Sequence, residues 1–149
     1  MRIWTKVLAA AALAGFAALA AAETDADARA MLAAAQTEIA SKGMAGAAKE
    51  FNGGGKWRGS KGYLVLVEFT GNMLAHADNV KLVGKNMLEA KDAGGKPFVH
   101  ETIKNVQAGR ESLMDIRWAN PNTKKIDNGH FMARRVAGQD AYIGVAYFD

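Results

Sequence analysis

The chain has 149 residues, no cysteine, and a formal charge of +4 from 19 Lys and Arg against 15 Asp and Glu. Without cysteine it has no disulfide framework, no thiol nucleophile and no Cys-x-x-Cys-His haem attachment, and its length is that of one ordinary domain. The cations stand singly or in pairs, as in Lys124-Lys125 and Arg134-Arg135, without the dense basic stripe that a phosphate backbone demands, so nucleic acid is excluded as a partner.

In chain order, residues 1–22 read as a secretory signal peptide. Arg2 and Lys6 form the positive end, residues 7–19 the apolar stretch, and Ala20-Ala21-Ala22 the small-residue cleavage site before Glu23. The apolar run is alanine-dominated and interrupted by Gly15, short of the about 20 residues a spanning helix needs, and a lipoprotein anchor would require a cysteine. The expected mature protein is therefore residues 23–149, periplasmic and not membrane-embedded after cleavage. Loss of Arg2 and Lys6 lowers its formal charge to about +2.

Alanine and helix formers dominate as far as Phe51, with Thr24 or Asp25 as a cap and Ala28, Leu32, Ala35 and Ile39 recurring on one helical face. Gly43 and Gly46 weaken the pattern, which predicts two helices over 25–42 and 44–51. Asn52-Gly53-Gly54-Gly55 breaks the helical run, and residues 63–69 form a strand apolar on both faces, so both faces should be covered. Thr70-Gly71-Asn72 turns it into a second strand over 73–76. Short helices are expected over 84–90 and 97–106, separated by Asp92-Ala93-Gly94-Gly95. Strands follow over 111–118, 124–136 and 141–148, with Asn120-Pro121-Asn122 as a turn. The fold class is α+β: a five-stranded antiparallel sheet with N-terminal helices on one face and the crossover between the second and third strands arching over the other.

Five segments in this order resemble the single Cache domains, PAS-like sensor modules that work outside the cytoplasm. They are Gly71-Asn72-Met73-Leu74-Ala75-His76, Leu82-Val83-Gly84-Lys85-Asn86, residues 91–98, residues 115–126, and Ile143-Gly144-Val145-Ala146-Tyr147. The resemblance covers nearly all of residues 23–149. It implies a stand-alone exported sensor that binds a small organic acid or similar metabolite between the sheet and the crossover and signals through a membrane receptor or histidine kinase. No cofactor is implied. The sequence departs from the family where tyrosines and a lysine are common, at Ile116, Met132 and Gly129, which leaves Tyr63, Phe69, His76, Arg117, Trp118 and Met132 as the candidate ligand-binding residues. That set suits a small or largely apolar ligand better than a dicarboxylate.

Each candidate also has a plainer reading. Tyr63 and Trp118 serve equally as packing aromatics, and Arg117, with Leu113 and Asp115 at period two, as part of a solvated face. His76, Asp78, His100 and His130 have spacings that match no metal-ligand pattern. There is no Gly-x-Ser-x-Gly elbow and no phosphate-cradling loop, since Gly53-Gly54-Gly55-Lys56 precedes a tryptophan and a strand instead of opening a helix. No enzyme is expected. The alternative to a sensor is a protein–protein interaction module whose pocket is closed by residues such as Ile116 and Met132.

Overall fold

The computed structural model describes residues 16–60 and 62–149. The signal-peptide reading thus falls largely outside the described residues, with residues 16–22 continuing the first helix. That helix, α1 (Phe16–Asn52), holds the break foreseen at Gly43, whose φ of 73° and ψ of 172° are non-helical. Such a φ is cheap only without a Cβ. Before the break α1 buries Ala28, Leu32, Ala35 and Ile39; after it, Ala47 and Phe51.

The strands are β1 (Gly62–Glu68), β2 (Met73–His76), β3 (Ser112–Asn120), β4 (Lys125–Arg135) and β5 (Ala141–Phe148). They form one antiparallel sheet in the order β2-β1-β5-β4-β3. The late strand β5 is central, and all eight of its residues are buried. β1 beside it is buried from Tyr63 to Val67, as expected for a strand covered on both faces.

The two covers differ in reach. α1 packs across β5, β2 and β1 and touches β4, which leaves the outer face of β3 to solvent. β3 accordingly alternates, with Leu113, Asp115, Arg117 and Ala119 exposed and Ile116 buried. Over the opposite face runs the crossover, ending in α2 (Phe98–Gln107), which packs on β3 and β4. Phe98, Val99, Ile103 and Val106 form its buried stripe at helical spacing.

The helix expected over 84–90 is absent; a single 3-10 turn, Val80–Leu82, precedes an extended strap. The strap is held by the hairpin it crosses: Gly84 N–H donates to the Met73 carbonyl at 2.8 Å, Met73 N–H to the Lys85 carbonyl at 3.0 Å, and Met87 N–H to the Gly71 carbonyl at 2.8 Å. The Asn86 side chain adds a bond to the Thr70 carbonyl at 2.9 Å. These bonds take the backbone groups that a helix would have used internally.

Candidate functional site

Between the sheet and the crossover lies a cavity of about 30 Å³. Strand alternation decides what lines it. Tyr63, Val65 and Val67 of β1 face it, Leu64 and Leu66 face α1, and the register carries the cavity face onto Ala146 and Tyr142 of β5, Phe131 of β4, and Ile116 and Trp118 of β3. Met73 and His76 come from β2, Leu82 from the 3-10 turn, Met87 from the strap, and Phe98 and Val99 from α2. A run of edge-to-face aromatics joins the walls: Trp118 to Phe98 at 5.1 Å, Phe98 to Phe131 at 5.9 Å, and Phe131 to Tyr142 at 6.2 Å. Gly144 makes room for this run, since a Cβ there would lie 2.4 Å from Cζ of Phe131.

His76 is the most informative wall residue. It is 4% exposed, and its ring stacks on Tyr63 with centroids 4.7 Å apart. Its Nδ1 accepts the N–H groups of Asp78 at 3.2 Å and Asn79 at 2.8 Å, so Nδ1 carries the lone pair and the proton belongs on Nε2. Burial holds its pKa down to about 4, against the upward pull of Asp78, whose carboxylate is engaged by Arg58 at 2.8 Å. The imidazole is thus neutral at pH 7 and donates through Nε2. Burial also raises the pKa of the Tyr63 and Tyr142 phenols, with Asp78 adding to the effect on Tyr63, so both keep their protons. Among the described residues, no charged side chain lines the cavity.

The same strand is tied to α1. Asn52, the last residue of that helix, accepts the His76 N–H at 2.9 Å and donates to the Leu74 carbonyl at 3.4 Å.

Three of the six candidate residues, Tyr63, His76 and Trp118, meet in this cavity. The other three do not. Met132 is fully buried on the α1 face, paired with Leu113 and Val145, because its neighbour Phe131 takes the cavity-facing position. Phe69 lies just beyond β1, beneath the Arg135 guanidinium at 5.1 Å. Arg117 points outward from the edge strand, and only its backbone is engaged: its N–H donates to Oδ2 of Asp92 at 3.0 Å and its carbonyl accepts the Ala93 N–H at 2.9 Å. Phe98, Phe131 and Tyr142 escaped the sequence reading, although period-two counting outward from Tyr63 and Trp118 points toward the sheet members of that trio. His76 and His130 lie on opposite faces of the sheet.

A second concavity, an open groove of about 520 Å³, lies along the middle of β3 and β4 among Asp92, Lys96, Asp115, Arg117, His130 and Asp149. Its charges are largely engaged, by backbone groups or by one another. Asp92 accepts the N–H groups of Gly94 at 2.9 Å and Lys96 at 2.8 Å, as well as that of Arg117. Burial opposes its charge, but these bonds outweigh burial and hold the carboxyl below the usual range. The His130 ring nitrogens meet Asp115 and Asp149, each at 2.9 Å. Burial lowers its pKa, yet the two carboxylates, Asp149 first, win and raise it.

The sequence pattern of the single Cache domain 2 family matches residues 17–149. Among solved structures, a methyl-accepting chemotaxis protein from Vibrio parahaemolyticus aligns with a TM-score of 0.70 at 20% identity, over 88% of this chain and 91% of that one. A Cache chemosensory domain whose structure concerns carboxylic acid recognition aligns with a TM-score of 0.65 at 20% identity, over 89% and 97% of the two chains. The periplasmic sensor domain of a chemotaxis protein gives a TM-score of 0.63 at 18% identity, over 89% and 94%. No curated protein matches the chain. At these identities the structural likeness shows a shared fold, and the family match spans nearly the whole chain: the protein belongs to the single Cache domain family.

Proposed function

We propose that this domain is an exported sensor module that binds a small organic molecule in the cavity and passes the occupied state to a membrane partner such as a chemoreceptor or histidine kinase. The observation that carries the reading is the aromatic cavity lined by a buried, neutral His76 whose Nε2–H no described hydrogen bond uses. A buried polar group without a partner is costly, and a bound molecule or water would satisfy it. The chemotaxis proteins of like fold support the sensing role. Export rests on the leader pattern in residues 1–22, and no described helix is long and apolar enough to cross a membrane. The Asn52 clamp between β2 and α1 gives the cavity wall a short path to the helix on the other face.

A metabolite screen by thermal shift tests the reading. A ligand at 100 times its dissociation constant adds about 2.7 kcal/mol of stability, and a melting temperature indifferent to the whole screen sinks it.

The volume of the cavity favours a second reading. About 30 Å³ holds only a water or two, whereas small-molecule sites commonly enclose about 300–1,000 Å³. A domain with a closed pocket would act through its surface as an interaction module. Capture of a specific envelope receptor by the purified domain, unaffected by any small molecule, would establish that reading over the first.

A further inference from the structure

We infer that the molecule this cavity accepts is small and uncharged and carries a hydrogen-bond acceptor such as a carbonyl or amide oxygen, and that it is not a carboxylate. The inference rests on the ligand-binding reading above and narrows it to a chemical class.

Charge is settled by what surrounds the cavity. A carboxylate removed from water needs a paired cation, because an unpaired buried charge costs several kcal/mol even after relaxation. Among the described residues, none of the lining side chains is cationic. Arg58 is engaged by Asp78 at 2.8 Å, Lys96 donates its ammonium to the Asp115 carbonyl, and Arg117 sits on the exposed outer face of β3. His76 cannot become the missing cation without disruption, since a second proton would go on Nδ1, where two backbone N–H groups already converge. At the start of α2 the N–H of Phe98 donates to the Lys96 carbonyl at 2.9 Å, while those of Val99 and His100 have no described partner; Glu101 in the same turn offsets the positive end that these groups present to an anion.

Polarity follows from the same inventory. The polar groups on the lining residues are His76 Nε2–H, the hydroxyls of Tyr63 and Tyr142, and the Trp118 indole N–H. The indole N–H is engaged by the Tyr63 hydroxyl, which leaves the imidazole Nε2–H, only a donor in this setting, so its complement is an acceptor oxygen. The remaining wall is apolar, and the methionines Met73 and Met87 are the side chains best able to shift around a molecule larger than the resting cavity.

Matched pairs that differ in charge and little in shape test this with the full chain: propanamide against propionate, acetone against acetate, and benzamide against benzoate, by titration calorimetry and thermal shift at pH 7. The expected result is binding of at least one neutral member, with its carboxylate partner weaker by on the order of 100-fold or more. A carboxylate that binds as tightly as its neutral counterpart overturns the inference and leaves the sensing role standing. If no member of either class binds and the wider screen is also silent, the ligand-binding reading falls, and this inference with it.

Discussion

The two concavities invert the usual association of size with recognition. The groove along the middle of β3 and β4 is open, roomy and rich in charge, but most of its polar groups are already engaged: Asp92 takes three backbone N–H groups, and His130 is shared between two carboxylates. The cavity is more than tenfold smaller and has no described charged side chain in its wall, but it leaves the Nε2–H of His76 without a described partner. Unmet hydrogen-bonding capacity in a dry setting is the better mark of a site than volume, because water competes for every group in the groove and for few in the cavity.

That contrast can be broken most directly at the cavity wall. Phe131→Ala should cost about 3–5 kcal/mol in urea denaturation, because it deletes an aromatic that touches both Phe98 and Tyr142; a cost under about 1 kcal/mol would mean that the wall is not packed.

The next largest effect is acid sensitivity. The pKa of His76 is lowered on folding from its ordinary 6.5 to about 4, so the unfolded chain binds its proton first. Stability contributed by this group is full above about pH 6.5 and is lost as the pH falls to about 4, by on the order of 3 kcal/mol. His130 has the opposite sign: its pKa is raised, so its contribution is present at low pH and is lost as the pH rises through the folded value. Urea midpoints across pH 4–8 should therefore flatten in the acid range for His76→Gln and lose an opposing slope for His130→Gln. Equal slopes in the two variants would erase the distinction between the sites.

Gly144→Ala is expected to cost about 1–3 kcal/mol by forcing Phe131 from its place, measured by thermal denaturation. The smallest change belongs to the groove. Arg117→Ala should stay within about 0.5 kcal/mol, because the backbone, not the guanidinium, makes the bond to Asp92; a cost matching that at Phe131 would show the groove to be the tighter site.

Much of the fold was legible because local chemistry and tertiary packing agree. The span of β5, the hairpin strand 73–76 and the break at Gly43 all follow from β-branched runs, turn residues and a glycine. The strap over 83–97 was not legible. Its composition tolerates a helix, and what forbids one is a set of bonds to the hairpin turn that only the assembled chain supplies. The site was half legible for a related reason. Period two says which residues share a face, but one position separates Phe131 in the cavity from Met132 against α1, and only the register with β5 decides between them. Arg117 illustrates the same limit, since its outward aim depends on how far α1 extends across the sheet.

The paired bonds to Nδ1 of His76 govern how that residue meets a ligand. Both come from consecutive residues of one turn, Asp78 and Asn79, so rotating the ring by half a turn would set a carbon against both N–H groups and forfeit them together. The imidazole is thereby held in one orientation before anything enters the cavity. The rotational entropy of aiming its donor is lost when the chain folds, not when a ligand binds, and the site is preorganised at that atom.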